Sequence, residues 1–323
     1  MHVLVFAVLA SGCGGVDFYS VDGKTMGTSY RVVARCPEAL DSAHIDAVLA
    51  GVNASMSNWD GDSEVSRFNA SPVGEWMTLS PPLAEVVETA LALSGMSDGA
   101  FDVTVGALVD AWGFGPAPAR GFPDDMEIEA ALARTGYRHL ELVDSRLRKT
   151  RDVRIDLSAI AKGYGVDAMA AAVAGQGCTD YLVEIGGEVR VQGHSPRGRP
   201  WRLGIEAPDG SGSAHRIVAM DKGAIATSGD YRNFFERDGK RYSHAIDPRL
   251  GTPVEHVLAS ATVVHASAMW ADGYATLIAV LGPEAGLAFA ESRDLAAYLL
   301  VRREEGLEPR STTAMAAFLA SED

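Results

Sequence analysis

The chain has 323 residues, 47% of them hydrophobic and 22% charged, and a formal net charge of −15. That composition belongs to a globular protein with a sizeable core, and it excludes a disordered tail, a solenoid of short repeats and a polytopic membrane protein. Scattered Lys and Arg under an acidic balance also exclude a nucleic-acid groove, which needs clustered cations against phosphate.

In chain order, Met1 to Gly12 form a short apolar run that ends in small residues just before Cys13. Such a run looks like a lipoprotein signal, in which Cys13 becomes an acylated N-terminus and the lipid anchors the protein to a membrane. It departs from the usual signal in having no Lys or Arg ahead of the apolar run and Ala10 in place of a Leu. The alternative reading is a buried N-terminal strand, because a short apolar run alone does not separate the two. Cys36 and Cys178 stand apart from any CxxC or His at ligand spacing, so they either pair in an oxidising compartment or remain free thiols.

Residues 15–36 alternate around a Gly-Lys-Thr-Met-Gly turn and predict a hairpin. Helical spacing of Ile45, Val48, Leu49, Val52 and Met56 predicts a helix over 39–57, and Pro81 and Pro82 open a second over 82–97. Pro116, Pro118 and Pro123 mark 115–126 as an exposed excursion. Acidic residues then open a third helix over 126–135, stopped by Gly136. Short β-like runs follow at Leu140 to Val143, Leu147 to Lys149 and Val153 to Leu157, before a helix from about Ala159 to Gly175. Strands are expected at Tyr181 to Glu184, Glu188 to Gln192, Arg202 to Glu206, Arg216 to Met220, 223–228 and 258–265. A helix from about Ser267 to Leu281, another at 284–291 and a strand at Ala296 to Val301 end the series. Helices and strands mix without regular alternation, and no linker divides the chain. The expectation is an α+β fold of mixed sheets and packed helices, in one unit of two intertwined halves.

Four places carry chemistry. Asp156, Ser158 and Lys162 cluster with two glycines where an extended run meets a helix; either this is a ligand site on free helix N–H groups, or Asp156 or Ser158 is a plain N-cap. Asp272 and Thr276, four apart on a helix, project two hard oxygens from one face, half a Mg2+ site that lacks a third ligand; the bland alternative is a polar edge on a buried helix. His244 lies in a loop rich in hydroxyls and carboxylates, where it serves either as a proton acceptor or as a structural hydrogen-bond partner. Trp59, Phe101, Trp112 and Phe114 either line a pocket for a flat ring or pack in the core.

Taken in order, eight blocks resemble the ApbE family of FAD:protein FMN transferases. They are GKTMGTSY (23–30), MSNWDGDSEVSRFN (56–69), GAFDVTVGALVDAWGFGP (99–116), DLSAIAKGYGVD (156–167), VEIGGEVRVQG (183–193), IATSGDYRNFF (225–235), SHAIDPRLGTP (243–253) and ADGYATLIAVLG (271–282). The resemblance implies a Mg2+-dependent enzyme that splits FAD, transfers FMN to a Thr or Ser hydroxyl of a target protein as a phosphodiester, and releases AMP. It implies targets among flavin-bearing subunits of membrane redox complexes, of the Na+-pumping NADH:quinone reductase or Rnf type. It also implies a lipid-anchored location on the periplasmic side of the bacterial inner membrane, with residues 1–13 as signal and 14–323 as the transferase domain.

By position, Met26 and Trp59 match residues lining the flavin site, Trp59 standing where Tyr is usual. Ala100, Phe101 and Asp102 match the adenine-side contact, and Asp156, Lys162 and Ile246 match further FAD contacts. Asp272, Thr276 and the main-chain carbonyl of Ala159 match Mg2+ ligands, with His244 or Asp272 as proton acceptor. Two other functions remain open: an FAD pyrophosphatase on the same site, or a non-catalytic periplasmic flavin-binding protein. A bulky Trp59 over the flavin would exclude water and favour transfer.

Overall fold

A computed structural model describes residues 18–116, 121–230, 234–237 and 240–320. The expected signal, Met1 to Cys13, lies outside the described residues.

The framework is an eight-stranded sheet of β1 (Phe18–Thr25), β2 (Thr28–Arg35), β3 (Asp180–Ile185), β4 (Glu188–Gln192), β5 (Lys222–Gly229), β6 (Leu258–His265), β7 (Ala296–Arg303) and β8 (Gly306–Ser311). Spatial order follows chain order and every neighbouring pair is antiparallel, so the sheet is a meander with long insertions. The meander fixes where the insertions emerge. The β1–β2 turn, the β3–β4 turn and the β5–β6 connection all fall on one edge of the sheet. The β2–β3, β4–β5 and β6–β7 connections fall on the opposite edge.

The central strands are buried on both faces, which is why β7 reads as a nearly continuous apolar run and β6 is buried along almost its whole length, Ser260 and Thr262 included. Val33, Leu182, Val189, Val191, Tyr298 and Leu300 face a hairpin of Trp201–Glu206 and Ala214–Met220 and the short helix Thr313–Ala317. Their sequence neighbours Val32, Val183, Leu299 and Val301 face the helices.

Six helices lie in the β2–β3 insertion: α1 (Ser42–Met56), α2 (Glu64–Ala70), α3 (Pro81–Met96), α4 (Gly106–Ala111), α5 (Asp125–Leu132) and α6 (Ala161–Gly175). Between β6 and β7 lie α7 (Ala268–Leu281) and α8 (Pro283–Glu291). The base of the large insertion is closed by a disulfide between Cys36, just after β2, and Cys178, just before β3. Pairing, one of the two fates open to these cysteines, is thus the one observed.

The mixed α+β class holds, and most expected elements lie within a few residues of their observed bounds. Val153 to Leu157 is not a strand: its one ladder contact is a bridge between Val105 and Arg154, and Asp156 bonds back to its own chain. A turn over 158–160 follows, so α6 begins at Ala161 and not Ala159. The third helix ends at Leu132 instead of 135, and its first turn reaches into the expected 115–126 excursion, of which 117–120 lie outside the described residues. Too short for a periodic signal, α2 and α4 escaped sequence reading, as did β8, whose Pro309 suits an edge strand.

Candidate active site

On the sheet edge where the β1–β2, β3–β4 and β5–β6 connections emerge, a cavity of about 450 Å3 opens against α6 and α7. Met26 and Gly27 form the β1–β2 turn, both with positive φ (49° and 72°), the geometry that matches strand twist in a two-residue hairpin loop. A methionine there pays a steric penalty that glycine avoids. It packs on α6 at Gly165, where a Cβ would come within 2.9 Å of Met26 Cε.

The approach to α6 runs through Asp156, whose Oδ1 accepts the Ser158 N–H at 2.8 Å while its own N–H donates to the Val103 carbonyl at 2.7 Å. Neither Asp156 nor Ser158 caps the helix; the N-cap is Ile160, which offers no side-chain acceptor. One first-turn N–H, that of Gly163, donates instead to Asp272 Oδ2 at 3.0 Å. This is possible because α6 and α7 meet at Gly163, where a Cβ would lie 2.3 Å from the Ala268 carbonyl oxygen.

Charges tie α6 to its neighbours. Glu188 and Arg190 share one face of β4. Arg190 pairs with Asp167, whose carboxylate also takes the Ser267 hydroxyl (2.6 Å) and the N–H groups of Ala268 and Met269 (3.0 Å each), so it caps α7 from outside. Glu188 Oε1 lies 2.6 Å from Lys162 Nζ. Burial works against the Lys162 ammonium, but Glu188, Asp272 and Glu184 outweigh it and hold its pKa above the usual lysine value.

Burial pushes the Asp272 carboxyl up, with Glu188 adding to the shift and Lys162 and the Gly163 N–H opposing it. Glu184 is pushed up to about 7, chiefly by desolvation, against the Gly187 N–H that donates to it. Burial also raises Asp102, although Thr104 Oγ1, Thr104 N and Tyr137 N all donate to it. His244, half-buried in the β5–β6 connection, meets the edge of Phe114 at a ring separation of 6.4 Å.

An ApbE family model matches residues 26–299. The FAD:protein FMN transferase of Vibrio cholerae is 41% identical over 98% of both chains, and that of Escherichia coli K12 is 36% identical over 94% of this chain and 89% of that one. The chain belongs to the ApbE family. The crystal structure of the Pseudomonas stutzeri flavinyl transferase ApbE superposes with a TM-score of 0.87 at 40% identity, covering 95% of this chain and 98% of that one. The Vibrio cholerae flavin transferase ApbE gives the same TM-score at 40% identity, covering 94% of this chain and 99% of that one.

All the residues picked out by the ApbE resemblance except Trp59 line the one cavity: Met26, Ala100, Phe101, Asp102, Asp156, Ala159, Lys162, His244, Ile246, Asp272 and Thr276. Trp59 is 71% exposed on the α1–α2 loop and is not part of that wall. Trp112 packs in a separate cluster, where its indole N–H donates to the Gly251 carbonyl at 2.8 Å.

No three His, Cys, Asp or Glu side chains come together as a metal cluster among the described residues. What the cavity offers is sparser. Asp272 is buried with one hydrogen bond among the described residues, Thr276 stands one turn on, and Ala159 lines the same cavity. A few hard oxygens with a single carboxylate fit Mg2+, which keeps most of its ligands as water and phosphate.

Ser158, grouped with Asp156 and Lys162 in the sequence, lines the cavity too, and so do Thr28 and Glu188, to which the sequence assigned no site role. Glu188 carried a usable signal: an acidic residue opening a strand in which the two valines are buried.

Proposed function

We propose that this chain transfers FMN from FAD to a protein acceptor, by attack of a Thr or Ser hydroxyl on the phosphorus that stays with FMN. The bond to AMP breaks, AMP leaves, and a phosphodiester joins flavin to protein. The observation that carries this reading is the convergence, in one cavity, of a lysine ammonium, a buried carboxylate with a neighbouring hydroxyl, and a histidine.

Each group has a part that follows from charge. The Lys162 ammonium, held ionised by its carboxylate neighbours, faces the diphosphate. Met26 and Ile246 supply apolar surface for the flavin, and Ala100, Phe101 and Asp102 bound the adenine end. A ring nitrogen of His244 accepts the proton of the attacking hydroxyl, a task suited to the range in which imidazole titrates. The Asp272 carboxylate, the Thr276 hydroxyl and the Ala159 carbonyl would hold Mg2+, which when bound offsets the charge that builds on the diphosphate oxygens.

The proposed setting is the periplasmic face of the inner membrane, anchored through Cys13, with acceptors among subunits of Na+-pumping NADH:quinone reductase or Rnf-type complexes. The Cys36–Cys178 disulfide supports an oxidising compartment. Among the described residues no helix is long and apolar enough to cross a membrane.

Hydrolysis of FAD to FMN and AMP is the second reading, favoured by the exposure of Trp59, which leaves the cavity without that screen against water. The deciding experiment incubates the protein lacking residues 1–13 with FAD, Mg2+ and an acceptor domain bearing a flavinylation Thr, read by mass spectrometry with a chelator control. Transfer predicts a gain of one FMN on the acceptor that disappears with chelator. Free FMN and AMP beside an unmodified acceptor would replace transfer by hydrolysis, and intact FAD would leave a flavin-binding protein.

A further inference from the structure

Glu188 is 1% exposed, and apart from the Lys162 ammonium 2.6 Å from Oε1 neither of its oxygens has a polar partner among the described residues. A buried carboxylate with so few hydrogen bonds is costly unless a countercharge compensates it. The countercharge is the Lys162 ammonium, 2.6 Å from Oε1, on a side chain that still presents 31% of its surface to the cavity. Lys162 in turn feels Asp272, and Glu184 more weakly. A flexible four-carbon stem between Glu188 and Asp272 would settle on whichever carboxylate attracts it more. An ammonium resting on Asp272 would occupy the carboxylate assigned to the cation.

We propose that Glu188 is a positioning residue: it draws the Lys162 ammonium to the β4 side of the cavity, so that Asp272 stays open to a divalent cation while Lys162 faces the diphosphate of FAD. The proposal rests on the assignment of Asp272 as a Mg2+ ligand. In this role Glu188 acts through Lys162. Its position at the start of β4 gives it a rigid base, because Ile185 and Glu188 pair across the tight turn of Gly186 and Gly187.

The test is Mn2+ binding followed by electron paramagnetic resonance on the FAD-free protein, for wild type, Glu188→Gln and the double variant Glu188→Gln/Lys162→Met. Glu188→Gln releases the ammonium onto Asp272 and should weaken Mn2+ binding about tenfold, the scale of outer-sphere changes at metal sites. Its transfer activity should return at raised Mg2+. In the double variant no ammonium competes with the cation, so Mn2+ affinity should return to that of wild type. Equal Mn2+ affinity in wild type and Glu188→Gln would overturn the proposal. So would a loss that persists in the double variant, which would make Glu188 a ligand in its own right. If Glu188→Gln does not fold by circular dichroism, Lys162→Met alone serves: it should bind Mn2+ at least as tightly as wild type, and weaker binding overturns the proposal. A wild type that binds no Mn2+ would remove the metal assignment itself, and the proposal with it.

Discussion

At the scale of single residues, the cavity holds ionisable groups away from their ordinary states, and each can be tested alone. Asp272→Ala removes the only carboxylate of the candidate cation site. It should lower transfer at least about 100-fold, and His244→Ala should lower it by about two to four orders of magnitude with FAD binding retained. Stopped assays with labelled FAD and equilibrium flavin fluorescence would measure the two effects, and full transfer in either variant would remove that residue's role.

Glu184 gives a pH prediction of definite sign. Its carboxyl titrates at about 7 when folded and near 4.5 when unfolded, so the folded protein binds the extra proton between those values. The contribution of Glu184 to stability is therefore complete below about pH 4.5 and is lost as pH rises through about 7. Thermal melts across that window should fall less steeply for Glu184→Gln than for wild type. Parallel curves would show that Glu184 does not carry this dependence.

At the scale of elements, what aims the site is the close contact of α6 and α7. Gly163 permits it, and Asp167 fixes the register by capping α7 from α6. Gly163→Ala would press a methyl group into the Ala268 carbonyl, a clash with backbone that a rotamer change cannot relieve. The expected cost is about 1–3 kcal/mol in denaturant unfolding, with weaker Mg2+ dependence because the Gly163 N–H to Asp272 bond is displaced. Retention of both stability and metal response in this variant would mean that the helices can separate without harm.

The helices themselves were legible in sequence because their caps and apolar spacing are local. Ser267 accepts the Trp270 N–H, and Gly282, with φ of 82°, ends α7 before Pro283 opens α8. Val153 to Leu157 misled because an extended apolar run has the composition of a strand whether or not another strand lies beside it. Here the Asp156 side chain satisfies the local backbone instead.

At the scale of the whole molecule, the meander brings the β1–β2, β3–β4 and β5–β6 connections to one edge, and the β2–β3 insertion, which ends in α6, completes the site there. The disulfide closes that insertion across 142 residues of sequence. A bridge over so long a segment acts mainly by restricting the unfolded chain, so Cys36→Ser should cost about 2–5 kcal/mol. Denaturant titration with and without reductant checks this: wild type should lose the same amount on reduction, and Cys36→Ser should be indifferent to it. A wild type unmoved by reductant would mean that the bridge adds nothing to stability.

The mixed class, most of the helices and strands and, through eight ordered blocks, the family and eleven of the residues that line the cavity are legible in the sequence. These are local or pattern properties, carried by spacing, caps and turn residues. The tertiary structure alone decided that Cys36 and Cys178 meet, that Trp59 stands outside the cavity wall, that Asp156 bonds to its own turn without capping α6, and that Glu188 is the partner of Lys162. Apart from the Asp156 turn, these depend on which residues distant in sequence come within a few ångströms, and that is set by the pairing order of the sheet and the packing of α6 on α7. No local pattern encodes it.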